Sequence, residues 1–398
     1  VLLVAAPSAS AGGRAFVEGA AEAPVTVLAT VASAEPLDAR AWLARLEIER
    51  ALAGDVRAGE RVAIAWDERT GDRSRRFADG ARILVALEPL PTWSIWRERL
   101  GERSARGIAL RGEAFVLSPD DATVAAVAAW LARPAAERTG VAALPELAGL
   151  AAGAEGPVAL GAVDAIGRLP GLAAALAPPE GDAARGALAR TLGDDARPER
   201  VRAALLSLVG ERALSVFAPE VAALARAPGA LAPDAVAAWA ALPGGVPADD
   251  ARSLLAGGEP AVRAAVLDHA AGGLPDAAIE ASLDDDADPA VRAAAVRAWV
   301  ARRGMEAWPR IAPRLDDPNT PEGAAAVRAL GKLGEPAVAP LATRARERDL
   351  AGARGPLLAL TFAGSEGALA LRALAADHPD PAARALATFL LGRAPPEH

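Results

Sequence analysis

"DADPAVRAAAVRAW", residues 286–299, decides how most of this chain is built. Asp288 places a hydrogen-bond acceptor where a helix starts. Pro289 takes the first helical position, whose N–H has no partner inside the helix in any case. Val291, Ala295 and Trp299 follow at intervals of four, the spacing of one helical face. Glu259-Pro260, Thr320-Pro321 and Asp380-Pro381 turn this helix into one copy of a unit. Each step precedes an alanine-rich run, and the four prolines lie 29, 32 and 60 residues apart. With the last interval taken as two units, the period is about 30 residues. "PAVRAAV" (260–266) and "PAVRAAAV" (289–296) share even the arginine after the valine, and "GEPAVAPLATRA" (334–345) supplies a second helix after "AAAVRALGKLG" (324–334). Each unit is an αα-hairpin that buries its apolar face only against its neighbours.

Units of this length and pattern resemble short HEAT-like repeats. The resemblance is clearest in "DPAVRAAAVRAWVARRG" (288–304) and "AAAVRALGKLGEPAVAPLA" (324–342), extends less regularly to 197–210, 232–244 and 353–364, and covers about 250 residues. It implies an α-solenoid whose second helices line a concave face offered to a protein partner. Some HEAT-like proteins hydroxylate a modified lysine with a di-iron centre held by His-Glu steps. This chain has three histidines, His269, His378 and His398, and none precedes a glutamate, so that chemistry is not expected. His269, beside Asp268 inside a helix, reads as a packing or capping residue. Arg263, Arg292 and Arg384, each three residues after its proline, are expected to bond the acidic turns of neighbouring units. "LDDDADP" (283–289) lacks the alternating Asp spacing, the glycine and the distal Glu of a calcium loop, and reads as a solvated turn in which Asp288 caps the next helix.

The 398 residues are 52% hydrophobic and 24% charged, ample for a substantial core. Lys332 is the one lysine and Asn319 the one asparagine, a bias toward Ala, Gly, Pro and Arg that follows a GC-rich coding sequence. Net charge is −8. Residues 1–135 hold 17 Arg against 18 Asp and Glu, and the remainder 26 basic against 33 acidic residues, so the excess lies in the helical array. Such a surface tracks phosphate backbones poorly, and nucleic acid is not an expected partner. With no cysteine, disulfides and thiolate metal sites are excluded. No 18-residue apolar stretch predicts a transmembrane helix. "VLLVAAPSASAGG" (1–13), with Ala9-Ser10-Ala11 as an A-x-A step, reads as a signal-peptide remnant or a disordered tail, and export to the periplasm or cell envelope is the expectation, with a cytoplasmic location if it is not a remnant.

Before the array the pattern has period two. Trp42, Ala44, Leu46, Ile48 and Leu52 share one side of "AWLARLEIERAL" (41–52), while Arg45, Glu47 and Glu49 take the other. "VTVLATVAS" (25–33), "RVAIAW" (61–66) and "ARILVAL" (81–87) read likewise, and "GIALRGEAFVL" (107–117) reads as a closing hairpin through Arg111-Gly112. The order of these pieces resembles the OB-like or netrin-like barrel of exported bacterial proteins, whose strand surface and loops can hold an oligonucleotide or oligosaccharide. In "SPDDATVAAVAAWLARP" (118–134), Ser118 is the expected cap of the first array helix and Pro119 its first-turn residue.

The expectation is thus an α+β multidomain protein. Residues 1–22 form the tail, 23–118 a small β-barrel, and 119–398 an all-α solenoid of HEAT-like hairpins. It is expected to be a non-enzymatic, cofactor- and metal-free scaffold of the bacterial cell envelope that binds a protein or peptide. The competing reading is a ligand-binding module whose barrel recognises a glycan or small molecule. The candidate contact residues are Trp93, Trp96 and Arg97 in "PTWSIWRERLGER" (91–103), Trp and Arg being frequent interface anchors, and a row formed by Arg310, Arg314, Arg344 and Arg372. Glu306, Arg310 and Arg314 lie four apart, and Arg344 and Arg372 follow about 30 residues on each time, a row suited to an acidic peptide.

Overall fold

The computed structural model describes residues 11–36, 41–67, 77–90, 106–108, 115–138 and 140–392. The chain is an α+β protein, a mainly antiparallel sheet followed by helices, and it divides into two compact units, residues 1–220 and 221–398. The expected boundary at 118/119 therefore separates sheet from helix but not one compact unit from the other. The sheet and the helices before Glu220 belong to the same body.

In the first unit the strands are β1 (Val25–Pro36), β2 (Ala41–Ala53), β3 (Arg61–Asp67), β4 (Arg82–Pro89), β5 (Arg106–Ile108) and β6 (Phe115–Leu117). They pair in the order β1-β2-β3-β5-β4-β6, and β1 also pairs with β4, so the first five close a ring of pairings. Within that ring β3 and β5 are parallel and the other pairs antiparallel. Alternate side chains from all sides fill one core: Val25, Val27, Ala29 and Val31 from β1, Ala44, Leu46 and Ile48 from β2, Ile64 from β3, and Ile83, Val85 and Leu87 from β4. A register shift where Leu28 pairs with Arg50 and Ala29 with Ile48 skips Glu49, so Ala51 packs on the core and the expected phase is lost at Leu52. Strand β4 is buried on both faces, with Leu84 and Ala86 also fully covered, which explains its unbroken apolar run.

Three expectations need correction here. Residues 11–22, expected in the tail, form a helix (Ala11–Glu22) whose Phe16, Val17 and Ala20 are buried; it packs on the Gly156–Gly167 helix and on β4. Small residues made this stretch look featureless, but one Phe-Val pair at helical spacing from Ala20 is enough to seat a helix between close-packed neighbours. The first array helix begins at Asp121 with Asp120 as cap, its carboxylate accepting from the Thr123 N–H at 2.6 Å. Ser118 has φ +47, whereas a capping residue needs the extended backbone that Asp120 has. Among the described residues β5 and β6 both pair with β4, and β5 also with β3, so they do not form the expected hairpin with each other. Arg111-Gly112 lie outside the described residues.

In the second unit the proline steps start helices as expected: Pro260–His269, Pro289–Arg303, Pro321–Gly331 and Pro381–Leu391. The missing start in the 60-residue interval is the Leu350–Leu360 helix, which has a capping Asp349 but no proline in its first turn. Each first helix packs on the first helix of the next unit, and each second helix follows it: Asp276–Asp284, a segment from Gly304 to Asp316, Glu335–Arg346 and Gly364–Asp377. Val291 and Leu330 are fully buried in this stack.

Candidate interaction surface

The arginine after each Pro-x-Val step does what its position promised. Arg263 forks onto Asp286 at 2.8 and 3.0 Å and also donates to the Gly258 carbonyl at 2.9 Å. Arg292 reaches Glu322 at 2.5 Å and the Asp286 and Ala287 carbonyls at 2.7 and 3.1 Å. Among the described residues Arg384 serves only its own turn, donating to the carbonyls of His378 and Pro379. Burial pushes the Asp286 carboxyl up, but the Arg263 fork, the Asp288 N–H and Arg292 outweigh it and hold the group below the usual range. "LDDDADP" is thus a pairing turn: Asp284 takes Arg310 and Arg314, Asp286 takes Arg263, and Asp288 caps the helix through the Ala290 and Val291 N–H groups. Among the described residues, no three His, Asp or Glu side chains gather as a metal site.

The second-helix row is built differently from expectation. Pro309 and Pro313 remove two N–H donors, and the segment runs as 3-10 turns at Gly304–Ala307 and Ala312–Asp316 around one α-turn, Trp308–Ile311. Glu306 pairs with Arg303 at 3.6 Å instead of heading a stripe. Arg310 bridges Glu280 and Asp284 and lies 5.9 Å from the centre of the Trp299 ring. Arg314 donates to the carbonyls of Arg310 (2.9 Å) and Leu283 (3.1 Å). Arg344 pairs with Asp316 at 2.7 Å. Three of the four arginines are therefore spent on the preceding unit; Arg372 is exposed and has no ion pair among the described residues. Trp93, Trp96 and Arg97 lie outside the described residues.

Opposite charges one unit apart were the overlooked signal. Arg297 forks onto Asp268 with two 2.7 Å bonds, 29 residues back; Arg302 and Arg303 share Asp276, and Nη2 of Arg346 reaches both carboxylate oxygens of Asp377 at 2.9 Å, 31 residues on. Hydrogen bonding from Arg302, with Arg303 adding to it, holds Asp276 below the usual carboxylate range. His378 was also missed. It is fully buried; Nε2 lies 2.8 Å from the Ala345 carbonyl and Nδ1 accepts from the Asp380 N–H at 3.0 Å. His269, by contrast, is exposed at the end of its helix and does not pack.

With the arginines accounted for, another row stands out on the second-helix side. Ala277, Pro309, Ala339 and Leu369 are exposed and separated by 32, 30 and 30 residues; Ala281, Pro313, Thr343 and Ala373, each four residues further on, are exposed as well. Both rows are free of charge, and Leu369 is 51% exposed. Beside them an open cleft is lined by Leu283, Asp284, Arg292, Arg314, Asp317 and Glu322, among other residues. Its guanidinium groups are already bonded within the protein.

A family model for HEAT repeats matches residues 276–360. The match covers the second helix of one hairpin, the next two hairpins and the first helix of the one after, Leu350–Leu360, and the hairpins on either side continue the same period. HEAT repeats generally act as protein-interaction scaffolds. No curated protein matches the chain. Among the described residues, no helix is long and apolar enough to cross a membrane.

Proposed function

We propose that this protein is a non-enzymatic scaffold of the bacterial cell envelope. Its second unit binds a protein or an extended peptide along the exposed second-helix rows. The observation that carries the reading is the recurrence of uncharged exposed positions, Ala277 to Leu369 and Ala281 to Ala373, at the period of the stack. A periodic surface offers a chain of contacts to an extended partner, which a single cleft cannot. Because Arg310, Arg314 and Arg344 already satisfy carboxylates of the preceding unit, the proposed partner makes mainly apolar and main-chain contacts, with charge recognition left to Arg372 and the neighbouring exposed groups. Export rests on the N-terminal A-x-A step alone. The closed ring of β1 to β5 pairings favours an OB-like barrel for the sheet, which supports a second contact there.

Ala281→Arg, Ala339→Arg and Ala373→Arg combined test this reading. These positions are exposed, so melting is expected to stay within a few degrees of the parent while retention of partner from an envelope extract falls by about tenfold or more, as bulky charge blocks the rows. Undiminished retention by the folded variant would reject the second-helix rows. Retention of glycans or small molecules in place of protein would favour the barrel as a ligand-binding module.

A further inference from the structure

Charge pairing between units is concentrated at one joint. Six guanidinium groups, from Arg263, Arg297, Arg302, Arg303, Arg310 and Arg314, link the hairpin 260–284 to the turn and hairpin that follow it, 285–316. Their partners are Asp286, Asp268, Asp276, Glu280 and Asp284. At the next joint two remain among the described residues, Arg292 on Glu322 and Arg344 on Asp316, and at the one after only Arg346 on Asp377, both well exposed. Ties to the backbone take over in that direction. A Cβ on Gly331 would stand 2.3 Å from the Ala359 carbonyl oxygen and one on Gly355 2.0 Å from that of Leu315, so backbones there are in direct contact. His378 bonds the Ala345 carbonyl, and the Leu350 N–H donates to Asp380 at 2.7 Å.

Most of the pairs at the crowded joint are partly open to solvent: Arg297, Arg303 and Arg310 are each about two-fifths exposed. Pairs in that setting are weakened by salt, whereas close backbone packing is not. Beneath them Val266, Ile279, Val291 and Val296 are fully buried, so loosening the ion pairs does not unstack the hairpins.

We propose that the joint between 260–284 and 289–316 is an ionic-strength-dependent hinge, clasped by its arginines at low salt and free to shear on its apolar layer at high salt. Beyond it the array stays stiff in both conditions. Hydrogen exchange of the full chain at about 0.05 and 0.5 M NaCl tests this, since the screening length falls more than twofold over that range. Amides of 260–269, 276–284 and 289–303 are expected to exchange about fivefold faster at high salt, while those of 350–360 and 381–391 change by less than about twofold. In Asp276→Asn/Asp284→Asn the same amides should exchange fast at low salt and lose their salt response. Arg297→Gln, which leaves an exposed carboxylate behind, gives the same comparison if the double variant does not fold. A salt response that is absent, uniform along the array, or undiminished in these variants would overturn the hinge.

Discussion

Asp288 and Glu259 stand at the same place before their prolines, yet only Asp288 caps its helix. A carboxylate one methylene longer does not fold back onto the second and third N–H groups, as the cap requires. Asp288→Ala is expected to lower stability by about 1 kcal/mol in chemical denaturation, and Glu259→Ala to leave it unchanged within error. Leu330 is fully buried between units, and Leu330→Ala should cost about 2–5 kcal/mol by the same measurement. Acid provides a further test. Arginine pairing holds Asp276 and Asp286 below the ordinary range in the folded chain. Their contribution is therefore present above the unfolded Asp value of about 3.9 and is lost as pH falls through the lower folded value. A pH titration of melting temperature should show a fall below about pH 4 that shrinks in Asp286→Asn. At this scale the Asp and Thr caps before the prolines were legible because they depend on neighbours in sequence, whereas Ser118 is displaced as cap by Asp120. His378 was not legible, because its partner Ala345 is brought to it by stacking.

At the scale of elements, the proline steps marked the first-helix starts at 260, 289, 321 and 381, and the halved 60-residue interval implied the one at 350, which has no proline in its first turn. What periodicity missed was interruption. Pro309 and Pro313 break the second helix into 3-10 turns, and the skipped Glu49 shifts the phase of β2, because both depend on backbone hydrogen bonds and not on the apolar pattern. The Ala11–Glu22 helix was read as part of a tail because a stretch rich in small residues shows its apolar face only against an equally close-packed partner. Close packing yields its own prediction. Gly355→Ala drives a methyl into the Leu315 carbonyl, and an overpacking cost of about 1–3 kcal/mol is expected, although alanine is the better helix former. A stabilised Gly355→Ala protein by thermal melting would mean that the two backbones do not approach as described.

For the whole molecule, the repeat architecture was readable from one 14-residue stretch and its echoes, because stacked hairpins repeat their needs at a fixed interval, and the sheet was readable from the period-two runs before it. The contact surface was not. Arginine at the right period looked like a row for a partner, and only the stacked arrangement shows that Arg310, Arg314 and Arg344 of that row meet carboxylates one unit back. Sequence gives the spacing of charges but not which of them are already satisfied. The consequence for function is that charge reversal at Arg310, Arg314 and Arg344 acts first on stacking. Photo-crosslinking groups placed singly at Ala281, Ala339 and Leu369, and at Glu47 on the sheet, with adducts read by mass spectrometry from the full chain in envelope extract, report where the partner docks. One protein partner is expected to be caught from Ala281, Ala339 and Leu369 and not from Glu47; a partner caught only from Glu47, or none caught from the array positions, would rule out docking on the second-helix rows.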